Sequence, residues 1–224
     1  MITNNTYFTN QLYIPHAKPS ITSDVTTVSA ELNAFIEKYE RECLIKCLGF
    51  QLFKEFEAQL DSGETNGLKG GADTKWDDLL NGKEYTDPQG KLVNWRGIRF
   101  KNATGDTAPN RSFLANYVYY HYEENHDIFR VGVGNVKPKA KNAETASAAP
   151  KVIRAWREMV EMIQGREVSG RLLIKNFGFG VDYYNINQEV TLYKFINDMN
   201  DDTPDTYSDF LPGFWDGMRN QFGI

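Results

Sequence analysis

No run of about eighteen apolar residues occurs anywhere in the 224 residues, so the sequence offers no membrane span. The opening Met1-Ile2-Thr3-Asn4-Asn5-Thr6 lacks the charged and apolar regions of a signal peptide, which predicts a soluble protein not secreted by the standard route. Cysteine is scarce: Cys43 and Cys47 are four apart in a helical pattern, share one face and are poorly placed to bridge each other, which excludes a disulfide scaffold. With no second cysteine pair they read as buried thiols rather than half of a soft metal site. Positive charge is not in excess either. The 25 Lys+Arg against 30 Asp+Glu leave -5, which argues against a protein that coats nucleic acid by bulk charge; any contact with DNA is local.

The groups an enzyme needs are also missing as patterns. His16, His121 and His126 have no HExxH or comparable ligand spacing. Gly132-Val133-Gly134-Asn135-Val136-Lys137 has the outline of a phosphate loop, but that loop requires Ser or Thr after the lysine at a helix start, and here Pro138 follows. The carboxylates give no acid-base pair by spacing. The sequence therefore points to no catalytic residue, no metal and no cofactor, and the chain is read as noncatalytic.

What is present is a helical pattern with a high aromatic content, 13% of residues beside 25% charged, which suggests large, partly polar contact surfaces. Val28, Leu32, Phe35, Ile36, Tyr39, Cys43 and Cys47 follow 3.6-residue spacing up to Gly49, and Phe50 starts a second helix reaching about Leu60. Trp76, Leu79 and Leu80 predict a short helix capped near Thr74, and Asp87-Pro88-Gln89-Gly90 a turn within an extended or hairpin-like stretch from Tyr85 to Lys101. Phe113 to Tyr122 is a helix with rings around most of its circumference. Val152, Ile153, Trp156, Met159, Val160 and Ile163 mark the clearest helix, ending at Gly165, and Leu192 to Met199 a last one. The fold class expected is mainly α: an antiparallel helical bundle with a small β element and extended N- and C-terminal arms. The organisation expected is an arm over 1–27, a helical core over 28–165 with loop insertions at 61–73 and 130–149, a β-like segment plus last helix over 166–199, and an acidic aromatic tail over 200–224.

Charge is unevenly placed. Arg130, Lys137, Lys139 and Lys141 form a basic loop unopposed by any acid before Glu144, whereas Asp198 to Asp216 holds six aspartates and no lysine or arginine. Two solvated surfaces would account for this. So would docking of the tail near the basic loop of a neighbouring subunit or on another protein, with charge guiding encounter and Tyr207, Phe210, Phe214, Trp215, Phe222 and Ile224 supplying binding energy. Ordering the tail costs more backbone entropy than its apolar side chains return, and five glycines and prolines interrupt it, so it is expected to be mobile in an isolated subunit and ordered in an assembly. The rings of Tyr119, Tyr120 and Tyr122 are taken as an aromatic helix surface. An alternative makes the chain a ligand- or glycan-binding module, with exposed Tyr119, Tyr120, Trp95 and Trp215 as stacking platforms.

Taken in order, Ala30 to Glu40 running into Cys47-Leu48-Gly49, then Trp76 to Gly82, Leu114 to Tyr120, Gly132 to Pro138, Ala155 to Val160 and Asn220 to Ile224, the motifs resemble head-to-tail connector (adaptor) proteins of tailed bacteriophages. The likeness spans about Thr26 to Ile224 and is greatest to the version in phages and prophages of gut Bacteroidales, including the ring proteins beneath the portal in crAss-like phages. The resemblance implies a mainly α-helical virion protein forming a ring, usually of twelve copies, between portal and tail. Its partners would be sister chains, the portal protein and other tail or ring proteins. Double-stranded DNA would pass through its bore, and members often dock on the portal through a C-terminal extension. It further implies synthesis in the host cytoplasm and a final place at the portal vertex or upper tail.

Overall fold

The computed structural model describes residues 1–15, 24–64, 67–100, 112–126, 129–131, 134–136, 149–165, 167–168, 171–172 and 189–213. Among these, six α-helices dominate: α1 (Asp24–Leu48), α2 (Phe50–Gln59), α3 (Thr74–Asn81), α4 (Phe113–His126), α5 (Ala149–Gln164) and α6 (Leu192–Asp202). Three small antiparallel hairpins accompany them: β1 (Lys83–Thr86) with β2 (Leu92–Trp95), β3 (Phe129–Val131) with β4 (Gly134–Val136), and β5 (Glu167–Val168) with β6 (Arg171–Leu172). The chain is mainly α with a small β element, as its periodicities predict.

α1 and α4 run antiparallel, and their ring contacts show it. Phe35 meets Tyr122 and His126 at 5.4 and 5.8 Å, Tyr39 meets His121 and Tyr117 at 4.1 and 6.2 Å, and Glu42 accepts from the Tyr117 hydroxyl at 2.7 Å. Position rises along one helix as it falls along the other. α5 lies on the opposite side of α4, with Trp156 against Tyr117 and Tyr120. This explains a helix apolar on most sides: α4 is sandwiched, and everything from Phe113 to Tyr120 is buried.

α2, α3, the β1–β2 hairpin and α6 build the other half of the core. Gly82 ends α3 with φ 97°, and a Cβ there would lie 2.5 Å from the Trp95 carbonyl oxygen, so only glycine lets the hairpin return this close to the helix. The Trp95 indole donates to Leu79 O at 3.1 Å, and Val190 N donates to Asn94 O at 3.0 Å, which brings the approach to α6 alongside β2. Asp87 closes the hairpin turn by accepting from Gln89 N and Lys91 N at 3.1 and 2.8 Å. Buried polar pins then fasten the hairpin to α6. Lys194 Nζ lies 2.7 Å from Asp198 and 3.4 Å from Asp87, the Tyr85 hydroxyl donates to Asp198 at 2.7 Å, and Arg96 grips Glu189 through two nitrogens at 2.8 and 2.6 Å.

Three expectations need correction. The opening residues are not an extended arm but form two 3-10 turns, Asn5–Tyr7 and Asn10–Leu12, folded onto the α1–α4 pair. Tyr7, Phe8, Leu12 and Ile14 fill a second core cluster with Leu32, Ile36, Val118 and Tyr119, and the buried Glu40 carboxylate accepts from Ile2 N, Thr3 N and the Thr3 hydroxyl at 2.7 to 2.9 Å. Glu40 thus takes over donors that a strand partner would otherwise use. The glycine-rich excursion after α2 is not wholly external, because Leu68 pairs back to Leu60 and is 2% exposed. The third correction concerns the tail.

Candidate interaction surface

α6 ends at Asp202, and the chain then turns back on the body. Asn200 holds this turn through both backbone groups of one residue: its side chain accepts from Tyr207 N at 2.7 Å and donates to Tyr207 O at 3.3 Å. Tyr207 inserts beside α3, edge-on to Trp76 at 6.1 Å, with its hydroxyl donating to Lys75 O at 2.6 Å and Lys75 Nζ donating to Thr206 O at 2.9 Å. Burial, with Asp78 and Asp73 nearby, pushes the Tyr207 phenol well above its ordinary range, so it stays a neutral donor. Phe210 then stacks edge-on to Tyr193 at 5.5 Å.

The next residues cap a helix. The last carbonyls of α1 have no partner within their own helix. Leu211 N donates to Leu48 O at 3.1 Å, Gly213 N donates to Lys46 O at 2.9 Å, and the Tyr193 hydroxyl closes on Gly213 O. Residues 200–213 therefore belong to the folded body, contrary to the expectation of a tail mobile over its whole length. Tyr207 is 1% exposed and is a core residue rather than a partner contact, and Phe210 packs at the core's edge. Phe214, Trp215, Phe222 and Ile224 lie outside the described residues.

The remaining sequence candidates fall as follows. Arg130 is in β3, where only the backbone is described, and Lys137, Lys139 and Lys141 lie outside the described residues. Tyr119, Tyr120 and Tyr122 are not a surface: they are 2%, 3% and 7% exposed, covered by the N-terminal turns on one side and α5 on the other. Trp95 is buried too, so none of the three stacking candidates among the described residues is exposed; Trp215 lies outside them. A cleft among Met1, Ile2, Leu60, Asp61, Leu80 and Arg99 holds about 60 Å³, well below the roughly 300 Å³ at which small-molecule pockets begin.

What remains exposed at the root of the tail is an apolar ridge. Phe50, the first residue of α2, is 62% exposed, and Leu211, whose backbone rests on Gly49, is 79% exposed. Asp201, Asp202, Asp205 and Asp209, in the stretch of chain that leads to Leu211, are exposed, while Asp198 is turned inward to Lys194. Sequence reasoning named the acids but missed Phe50 and Leu211, since Phe50 stands on a helix whose other rings are buried. The available signal was Gly49: a break between two helices leaves orphan carbonyls that some other segment must meet.

Behind the ridge lies a polar seam between α1 and α4. Lys46 bonds Glu42 and the Tyr117 hydroxyl at 2.6 and 2.9 Å, and His121 stacks on Tyr39 with its Nδ1 3.4 Å from Glu124. Burial, reinforced by Lys46 and Lys38 and opposed by Glu42, lowers the His121 pKa from 6.5 to about 4. The unfolded chain therefore takes up a proton at this residue between pH 6.5 and 4 that the folded chain refuses. The stability contribution is complete above that window and is lost as the pH falls through it. Urea midpoints between pH 7 and pH 4 are expected to fall less steeply for His121→Phe, which keeps the ring stack and removes the titration; parallel curves would exclude this contribution. Cys43 and Cys47 sit deeper, their sulfurs 3.9 Å apart, and burial raises the Cys43 thiol, which keeps it protonated.

Among the described residues, no group of three or more His, Cys, Asp or Glu is placed to hold a metal, and no helix is long and apolar enough to cross a membrane. No family model matches the chain, and no curated protein or solved structure is significantly similar to it.

Proposed function

We propose that this chain is a noncatalytic structural protein of a tailed-phage virion, one subunit of a ring between portal and tail that joins head to tail and lets double-stranded DNA pass during ejection. The ordered motif set supports this reading, and one structural observation carries it furthest: the C-terminal segment is rooted in the body. Tyr207, Leu211 and Gly213 fix the chain to α3 and the end of α1, so the eleven residues from Phe214 to Ile224 start from a rigid anchor. Those residues include Phe214, Trp215, Met218, Phe222 and Ile224, a dense set of anchors for a partner such as the portal protein. A closed ring needs a heterologous interface between unlike patches, which separated acidic and basic segments suit. The net charge of -5 suits a conduit, because a bore that gripped phosphates would slow DNA release.

Truncation after Gly213 is the direct test. The shortened chain is expected to keep its stability within about 1 kcal/mol, since every described contact is retained, and to lose capture by portal protein. Equal capture of both forms would reject portal docking through this segment. Native mass spectrometry and particle images of the full chain should show an annular oligomer; a monomer at all concentrations that portal protein does not capture would reject the ring.

A further inference from the structure

We propose that the Phe50–Leu211 ridge is the acceptor surface for the basic segment 129–141 of a second copy of this chain. This rests on the ring reading for the presence of a second copy, but the surface and its occupant are argued from the molecule.

Two large exposed apolar residues stand at the corner where α1 passes into α2: Phe50 follows Gly49 in sequence, and the Leu211 backbone lies against Gly49. Leu211 is held there by its backbone, through Leu48 O, and is 79% exposed. Phe50 is 62% exposed although Leu52, Phe53 and Phe56 of the same helix are buried. An apolar pair held rigidly in water on a backbone fixed by hydrogen bonds is a preorganised contact. Its surroundings set the partner's charge. From Asn200 to Gly213 the chain has four aspartates and no cation, and Asp201, Asp202, Asp205 and Asp209 are all exposed. Of the cations nearby, Lys46 is engaged by Glu42 at 2.6 Å and Lys54 by Glu57 at 2.5 Å, while Lys75 donates to Thr206 O at 2.9 Å. The surface thus calls for an apolar segment flanked by positive charge.

The chain itself contains one. Residues 129–141 carry Arg130, Lys137, Lys139 and Lys141 and no acid, four positive charges to match the four aspartates, with Phe129, Val131, Val133 and Val136 among them. Phe129–Val131 and Gly134–Val136 pair as an antiparallel hairpin. The two patches are unlike, so the contact is heterologous and propagates from copy to copy, the geometry that closes into a ring.

Charge exchange tests this. Asp202→Lys with Asp209→Lys, and separately Lys137→Glu with Lys139→Glu, are each expected to weaken self-association of the full-length chain at low salt by about tenfold or more, as read by sedimentation velocity. Combining all four substitutions is expected to restore it to within about threefold, and raising the salt should diminish both effects. Phe50→Ser with Leu211→Ser, at exposed positions that leave the core untouched, is expected to weaken association at every salt concentration. Circular dichroism of each variant keeps folding and assembly distinct. If the wild-type chain associates but neither charge pair weakens it, or the combination does not recover, this acceptor surface is wrong while the ring stands. If the wild-type chain never associates and portal protein does not capture it, both fall.

Discussion

Lys194→Met should cost about 3–5 kcal/mol of folding stability, the range seen when one partner of a buried ion pair is removed. Lys194 is the only cation among the Lys194, Asp198, Asp87 and Tyr85 pins described above, and its side chain is 8% exposed against 8% and 5% for the two aspartates. Removing it leaves two buried carboxylates whose remaining support among the described residues is the Tyr85 hydroxyl for Asp198 and the backbone donors of its turn for Asp87. Methionine fills nearly the same volume, so the loss reports charge rather than a cavity. Adding Asp198→Asn should recover much of it, because a neutral amide can still accept from Tyr85 and no longer carries an uncompensated charge. Urea unfolding of the single and double variants gives both numbers. A loss below about 1 kcal/mol for Lys194→Met would mean that water reaches the cluster and screens it.

Neither this cluster nor the N-terminal clamp was legible in the sequence, for the same physical reason. Periodicity reports where a helix is apolar, so α1 could be read from Leu32, Ile36 and Cys43, all but its polar first turn, α4 from Phe113 to Tyr120, and α5 from Val152, Met159 and Ile163. Turn chemistry is equally local, and Gly49 and Asp87-Pro88-Gln89-Gly90 announced the helix break and the hairpin. Lys194 and Asp198 are an i,i+4 pair by spacing, and what buries them, Asp87 and Tyr85, comes from more than a hundred residues away. Glu40 looked like one more charge on α1, yet its carboxylate organises residues 2 and 3. Long-range polar contacts leave no spacing signature.

The tail was misread on similar grounds. Its acidic composition and interrupting glycines and prolines describe a solvated segment, and over 201–205 and 208–209 the side chains are exposed or nearly so. What folds it is a single ring, Tyr207, plus backbone donors that meet carbonyls left open where α1 stops. The demand for those donors arises in another part of the sequence, at Gly49. The body therefore continues to Gly213 rather than stopping near Asn200, and two of the six candidate anchors, Tyr207 and Phe210, pass from partner contact to core or its edge.

Gly49→Ala tests that boundary, with an expected loss of about 3–5 kcal/mol. Gly49 has φ 86° and ψ 157°, a region essentially reserved for glycine, so any side chain adds backbone strain of about 1–3 kcal/mol. Its Cβ would also lie 2.8 Å from Leu211 O and 3.1 Å from Leu211 Cβ, distances at which the tail must move. Moving it breaks the Leu211 N to Leu48 O bond and loosens Gly213 N to Lys46 O, each worth about 1 kcal/mol. Gly213→Ala is the matched control: its Cβ would meet Lys46 O at 3.4 Å, ordinary contact, and the change should be within about 0.5 kcal/mol. Limited proteolysis distinguishes a local from a global effect. If the tail root is fastened as described, Gly49→Ala exposes cleavage between Tyr207 and Gly213 under conditions where the helices remain intact by circular dichroism, and assembly weakens because Leu211 is no longer held beside Phe50. Unchanged cleavage together with full stability would show that the end of α1 does not anchor the tail, and with it the rigid root on which both the portal contact and the ridge depend would be lost.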